Sequence, residues 1–131
     1  MSKVLAIDTS TSRSCVAVID GANVLYSGFR DGATAHGPSL PALVQEALAM
    51  SDVDEVVVGM GPGPFTGLRV GIAFAQSFAL AREIPVRGVC SLDAIAAQVT
   101  DKDFIITVDA RRKEVYWARC THGVRVGGPA V

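Results

Sequence analysis

The sequence is poor in the residues from which metal and thiol sites are built. Its 131 residues include two histidines and three cysteines. His36 and His122 lie far apart in the chain and outside any His-x-x-x-His motif, so no metal site is predicted. Cys15, Cys90 and Cys120 are odd in number and show no Cys-x-x-Cys spacing, which is typical of reduced cysteines in a cytoplasmic protein.

The chain also lacks an excess of charge. The formal net charge is −1, and the densest basic run is Arg111 to Lys113. Strong direct binding to a nucleic acid would require a basic face, so any role on RNA would need a partner. The apolar run after Met1-Ser2-Lys3 is too short for a signal peptide, and no apolar segment reaches the length of a bilayer span.

The most informative stretch that is present covers residues 55–82, EVVVGMGPGPFTGLRVGIAFAQSFALAR. Its β-branched start predicts a buried parallel strand, and its glycine-proline turn leads into a predicted helix over Thr66–Arg82. Gly67, Gly71, Ala75 and Ala79 recur every four positions, so they form one side-chain-poor stripe on this helix.

That stripe allows a close approach by another backbone. It faces either the protein's own sheet or a partner, and we expect it to pair, together with a preceding helix over Ser39–Met50, with a second copy or a paralogue. The predicted interface residues are Gly67, Leu68, Gly71, Ile72, Ala75, Phe78, Ala79, Leu43 and Ala47.

The remaining pattern predicts strands and helices that alternate after an antiparallel meander. Strands are expected over 3–8, 14–20, 24–29, 56–59 and 86–90, with a loop over 30–37. Ser39 is the expected N-cap of the first helix and Ser91 that of a short third helix. Three antiparallel strands followed by alternating helices and strands indicate an α/β layer fold.

After a polar break at residues 100–103 the pattern restarts. FIITVD mirrors VLAID, and strands over 114–120 and 124–126 repeat the second and third strands of the first copy. This self-similarity indicates an internal duplication. We therefore expect a first domain over residues 1–100 and the incomplete start of a second domain over residues 101–131.

The candidate ligand site is the turn Asp8-Thr9-Ser10-Thr11 at the end of the first strand. Such a turn holds phosphate in sugar kinases and actin-like ATPases, usually with a glycine that exposes backbone N–H groups. No glycine is present here. The hydroxyls either bind a phosphate or a metal-bound water, or they only stabilise the turn.

Three other motifs give weaker signals. GPGPFTG has no Gly-Lys-Ser/Thr ending, and its prolines remove N–H donors that a pyrophosphate would need. Arg69, one turn into the helix, is either an interface residue or a solvated surface cation. The run Asp109-Ala110-Arg111-Arg112 either holds a ligand or forms ion pairs.

The segments KVLAIDTSTSRSCVAV, GPGPFTGLRVGIAFAQSFA, CSLDAIAAQ and DARRKEVYWA together resemble the TsaB (YeaZ) family of tRNA threonylcarbamoyladenosine biosynthesis proteins. The resemblance implies a duplicated actin-like (ASKHA, ribonuclease H-like) fold, with a mixed sheet of three antiparallel plus two parallel strands. It implies a non-catalytic subunit without a cofactor that forms homodimers. Its N-terminal helices would bind the catalytic paralogue TsaD. The ATPase TsaE would join through that complex, and tRNA would be bound only indirectly.

Two features depart from the family pattern. Pro64 replaces the serine of GPGSFTG, which stiffens the turn and removes a hydroxyl, and family members extend well beyond residue 131.

The expected function is a scaffold subunit. The alternative is a degenerate actin-like phosphotransferase or glycoprotease-like hydrolase with its own activity.

Overall fold

The computed structural model describes residues 2–32 and 35–131, apart from the side chain of Arg111. The predicted α/β class is confirmed. The elements in chain order are β1 (Lys3–Asp8), β2 (Arg13–Asp20), β3 (Asn23–Asp31), α1 (His36–Met50), β4 (Glu55–Gly59), α2 (Phe65–Arg82), β5 (Val86–Val89), α3 (Ser91–Ala96), β6 (Asp103–Arg111), β7 (Glu114–Thr121) and β8 (Val124–Ala130).

The first sheet has five strands in the order β3-β2-β1-β4-β5. β1 pairs antiparallel with β2, and β2 pairs antiparallel with β3. β1 pairs parallel with β4, and β4 pairs parallel with β5. The mixed sheet expected from the sequence is therefore confirmed, with β1 at its centre.

One face of this sheet carries the main core. Leu5 and Ile7 alternate with half-buried residues along β1 and are 0% and 2% exposed. α1 packs against β2 and β3, while α2 packs against β4 and β1. Because side chains of a strand alternate between the two faces, the same spacing that predicted the strand also orients its core side.

The second sheet is the antiparallel meander β6-β7-β8. It repeats the order of the first three strands, as the duplicated sequence pattern predicts. A separate apolar cluster joins it to α3, with Leu92, Ile106 and Cys120 at its centre. In the sequence, the polar segment near residue 100 separates the strands of the first sheet from those of the second. The division into two domains remains a prediction.

The small-residue stripe of α2 faces the protein's own interior. Gly71, Ala75 and Ala79 are the buried residues of this helix. A Cβ atom built on Gly71 would clash with the Thr9 side chain. Of the two alternatives for the stripe, the structure places it against β1 and the turn that follows β1.

Both helix starts differ from the prediction. α1 begins at His36 with Ala35 as its N-cap, so Ser39 lies inside the helix and is buried. Cys90, not Ser91, is the N-cap of α3. Ser39 is the fourth residue of α1 and Ser91 is the first residue of α3, where its hydroxyl bonds to the distant Asp8 carboxylate. The predicted loop over 30–37 is shorter, since β3 runs to Asp31, and residues 33 and 34 lie outside the described part.

We predict that Gly71→Leu lowers the stability of the folded chain. Its side chain would enter space filled by Thr9, and overpacking of this kind costs about 1–3 kcal/mol. Ala73→Leu is the matched control because Ala73 is exposed on the same helix. Thermal melts of both variants should show a clear loss for Gly71→Leu alone. Equal melting temperatures would contradict the inward orientation of the stripe.

Candidate functional site

The carboxylate of Asp8 lies at the C-terminal end of β1 and is occupied by donors from this chain. Its Oδ1 accepts the Ser10 N–H at 2.7 Å and the Ser10 hydroxyl at 2.5 Å. Its Oδ2 accepts the Ser91 hydroxyl at 2.7 Å. Three internal donors therefore surround a group that would otherwise be available to a metal-bound water or a ligand.

Ser91 extends this network to the glycine-proline turn. Its Oγ accepts the Gly61 N–H at 3.1 Å, and its own N–H donates to the Gly61 carbonyl at 2.8 Å. A Cβ on Gly59 would clash with the Asp8 carboxylate. Gly59 is thus needed at the end of β4 because Asp8 lies directly over its Cα. Asp8, Ser91 and this turn form one connected polar cluster.

Thr9 connects β1 to α2 through the helix backbone. Its hydroxyl donates to the Gly67 carbonyl at 2.6 Å and accepts the Gly71 N–H at 3.1 Å. These two groups are four residues apart and are partners in an ordinary α-helical ladder. Thr9 is 1% exposed. The hydroxyl is therefore an internal cross-link and presents no polar atom to a ligand.

The turn offers few donors for a phosphate. The N–H groups of Ser10, Gly61 and Gly71 are all used by side chains of this chain. A Cβ on Gly63 would clash with the Ser10 carbonyl, so the two loops are in backbone contact there. A phosphate site needs several N–H groups that converge on open space. The geometry favours the stabilised-turn interpretation of residues 8–11, in which Thr11 is exposed.

His36 is a buried residue at the start of α1, although the sequence predicted it to lie in the loop over 30–37. Its Nδ1 is 2.5 Å from the Ser14 Oγ, and the residue is 3% exposed. A Cβ on Gly67 would lie 2.9 Å from its Cδ2 and Nε2 atoms. His36 therefore fills the space between β2 and the start of α2. No local spacing marks this role, because Ser14 and Gly67 are distant in the sequence.

No cluster of three or more His, Cys, Asp or Glu side chains suited to a metal occurs within the described ranges. None of the helices in the described part of the chain could cross a membrane.

Arg69 lies over the Phe65 ring at 4.8 Å from its centroid, so it stacks on its own helix. Arg111 belongs to the candidate run at residues 109–112, at the end of β6, and its side chain is not among those that the structure describes.

The predicted interface residues fall into two groups. Gly71, Ala75, Ala79, Leu43 and Ala47 are buried in this chain's own core and therefore present no surface to a partner. Gly67, Leu68, Ile72 and Phe78 are half-buried. The stripe was identified correctly as a close-packing surface, but what it packs against is the sheet.

The outward side of α2 carries large apolar groups that the stripe argument missed. Phe65 is 71% exposed and Leu80 is 81% exposed. Arg82 lies over the Phe78 ring at 4.9 Å, and Phe78 stacks with Phe74. Within the described residues, Phe65 and Leu80 are therefore apolar side chains outside the core that the opposite face of α2 forms. The sequence could have indicated this surface, because Phe65 and Leu80 are apolar residues of α2 that lie outside the buried stripe.

The face of the first sheet opposite α1 and α2 contains an apolar cavity of about 310 Å³. Its floor is lined by small or apolar strand residues such as Ala6, Ala17 and Val57, with Cys15 at the side. Burial first, and then the charge of Asp8, raise the pKa of the Cys15 thiol. The higher pKa reduces the thiolate fraction at neutral pH, so the cavity does not resemble a nucleophilic active site.

Comparisons with known proteins agree with this geometry. A family model described as "TsaD: tRNA N6-adenosine threonylcarbamoyltransferase" matches residues 31–131. An uncharacterized protein of Mycobacterium tuberculosis is 49% identical over all of this chain and 65% of the relative. The Escherichia coli "tRNA threonylcarbamoyladenosine biosynthesis protein TsaB" is 35% identical over 88% of this chain and 54% of that protein. The chain thus spans less than two thirds of the length of both relatives.

Solved structures give the same result for the fold. YeaZ from Pseudomonas aeruginosa superposes with a TM-score of 0.84 at 31% identity, covering 99% of this chain and 67% of that one. A glucokinase from an Antarctic psychrotroph has a TM-score of 0.54 at 12% identity, which shows a shared fold alone. The actin-like fold class expected from the sequence is therefore confirmed.

We predict that Thr9→Val destabilises the fold although it conserves volume. Valine removes the hydroxyl that bonds to both the Gly67 carbonyl and the Gly71 N–H, and a buried hydrogen bond of this kind contributes about 0.5–1.5 kcal/mol to stability. Thr11→Val is the matched control, because Thr11 is exposed. Urea unfolding should show a lower midpoint for Thr9→Val only. A Thr9→Val midpoint equal to that of the control would show that the cross-link contributes nothing.

Proposed function

Because this chain belongs to the TsaB (YeaZ) family, we propose that it is a non-catalytic subunit in tRNA threonylcarbamoyladenosine biosynthesis. In this role it binds a TsaD-like paralogue in the cytoplasm, and a TsaE-like ATPase joins through that complex. The net charge of −1 supports an indirect relation to tRNA, since a direct RNA-binding surface would be basic.

The closed turn at residues 8–11 is the observation that carries the non-catalytic assignment. Asp8 accepts three internal hydrogen bonds, and Thr9 is bonded on both its donor and acceptor sides. An enzyme of this fold would keep polar groups at this position open to a nucleotide or a metal-bound water. Breaking the internal bonds to admit a ligand would cost the fold its connections from β1 to α2 and α3.

The alternative, a degenerate phosphotransferase or glycoprotease-like hydrolase, finds no support in the same geometry. Those activities need an accessible nucleophile, a general base or a metal. His36 is enclosed beside Ser14, and the thiol pKa of Cys15 is raised. The scaffold role explains the buried polar cluster without any further group.

The partner surface in this proposal is the outward side of α1 and α2. Phe65 and Leu80 on α2, and Met50 at the end of α1, are all more than half exposed. The family model that matches residues 31–131 describes TsaD, so a TsaD-like partner would share this fold. Two chains of one fold can pack through equivalent helices about a pseudo-two-fold axis, and the same surface would serve a homodimer.

We predict that Leu80→Lys weakens binding to the TsaD-like paralogue from the same genome. A buried aliphatic anchor contributes about 2 kcal/mol or more to an interface, which corresponds to roughly a 30-fold rise in Kd. Val24→Lys is the matched control, since Val24 is 64% exposed and lies on β3. Calorimetry should detect a loss with Leu80→Lys and little change with Val24→Lys. Equal Kd values for the two folded variants would exclude this face.

We also predict that the chain alone does not bind ATP tightly. The N–H groups of Ser10 and Gly61 near Asp8 are already used, so a phosphate that bound to them would have to break existing bonds. Titration of the 131-residue protein with ATP and Mg²⁺ should give no saturable heat. A Kd below roughly 10 μM, about −7 kcal/mol, would refute the closed-turn argument. If Asp8→Asn abolished that binding, Asp8 would be identified as a ligand-binding group.

A further inference from the structure

Ser91 binds both backbone groups of one residue in the glycine-proline turn. Its N–H donates to the Gly61 carbonyl at 2.8 Å, and its Oγ accepts the Gly61 N–H at 3.1 Å. The same hydroxyl donates to the Asp8 carboxylate at 2.7 Å, which orients it. Ser91 is 6% exposed. The backbone of Gly61 is therefore held from the inside by a side chain that is closed off from solvent.

The turn leads directly into α2, and the start of this helix depends on it. α2 begins at Phe65 with Pro64 as its N-cap, and no side-chain hydrogen bond caps it. The Leu68 N–H donates to the Pro64 carbonyl at 3.0 Å, which is the first bond of the helical ladder. The Gly61 backbone packs on the Leu68 side chain, since a Cβ on Gly61 would lie 2.8 Å from Cδ2. A shift of Gly61 would therefore move the first turn of α2.

The turn has a second support, and both supports depend on one carboxylate. A Cβ on Gly63 would clash with the Ser10 carbonyl, so the two loops are in contact there. Asp8 accepts hydrogen bonds from Ser10 and from Ser91. Ser10 belongs to the turn after β1, whereas Ser91 belongs to α3, which packs against the second sheet. Of the two supports, Ser91 is therefore the one that connects the start of α2 to the second sheet.

Phe65 is the exposed residue that this turn places. It is 71% exposed, and the Arg69 guanidinium lies over its ring at 4.8 Å. Because Arg69 is one turn further along, α2 itself orients the ring. Phenylalanine and arginine are both enriched in the centres of protein interfaces. Where this pair lies relative to the first sheet is decided by where α2 begins.

We propose that Ser91 is a positioning residue for the partner surface of α2. Through Gly61 it holds the helix start in the position in which Phe65 meets the TsaD-like paralogue. This role rests on the proposed function, since it prepares the same surface. Without the hydroxyl the Gly61 N–H loses its acceptor, and fewer molecules keep the helix start in that position. The measured Kd rises as this fraction falls.

Calorimetry with the TsaD-like paralogue from the same genome tests the role. We expect Ser91→Ala to raise the Kd about 3- to 10-fold, as the loss of one or two hydrogen bonds would. Ser91→Thr retains the hydroxyl and should bind like the wild type. Ile106→Val is the control for a general loss of stability, because Ile106 is buried beside α3 and does not contact the turn. An unchanged Kd for folded Ser91→Ala, or an equal rise with Ile106→Val, would overturn the proposal.

A double-mutant cycle shows whether Ser91 acts through Phe65. Phe65→Ala alone should raise the Kd, because it removes the exposed ring. Ser91→Ala should then add little in the Phe65→Ala background, since no anchor is left to position. Fully additive effects of the two substitutions would contradict a role through Phe65.

Hydrogen exchange tests the same link in the free protein. In Ser91→Ala the Leu68 amide should exchange about tenfold faster than in the wild type. The Ile84 amide, which donates to the Ala79 carbonyl at the other end of α2, should be unchanged. An unchanged rate at Leu68 would overturn the proposal. A wild-type protein that binds no paralogue would refute the proposed function and the role of Ser91 in it, whereas binding that is insensitive to Ser91→Ala would refute that role alone.

The wild-type complex gives a readout that does not depend on any variant folding. Linkage is reciprocal, so a partner that selects one position of the α2 start also stabilises the contacts that hold it. The Ser91 amide, buried and bonded to Gly61, should exchange more slowly in the complex than in the free protein. An equal rate in the two states would contradict the role of Ser91.

Discussion

The hydroxyl of Thr9 is the contact on which the arrangement of sheet and helices depends. It lies between the Gly67 carbonyl and the Gly71 N–H and so fixes the start of α2 against the end of β1. This approach requires a glycine at position 71, because a Cβ there would occupy the same space as Thr9. Gly71 of the stripe and the threonine of the turn are therefore parts of one interaction.

The neighbouring residue Asp8 extends this contact to α3. Its carboxylate accepts a hydrogen bond from Ser91, the first residue of α3, and α3 packs against the second sheet. Asp93 on α3 also forms an ion pair with Arg125 of β8, with an N–O distance of 2.8 Å. A turn that holds phosphate in kinases of this fold here holds the protein's own elements together. The proposed scaffold role depends on this arrangement.

Much of the architecture could be predicted because it follows from local periodicity. The alternation of apolar residues in β1 and the apolar start of β4 defined strands that the structure confirms. The starts of α1 and α3 were placed wrongly because serine is a good N-cap in general. Ser39 and Ser91 are instead buried residues of their helices, and the Ser91 hydroxyl bonds with Asp8. At Ser91 the hydroxyl is used in this tertiary hydrogen bond and does not cap the helix.

The sequence by itself determined the fold class, the repeated meander and the presence of a close-packing stripe on α2. These features depend on spacing within one segment, which the chain order states directly. Only the tertiary structure decided that the stripe meets Thr9, that His36 pairs with Ser14, and that Phe65 and Leu80 remain outside. Each of these facts joins residues far apart in the chain. Which partner a face meets depends on how the sheet orders its strands, and spacing within a segment does not encode that order.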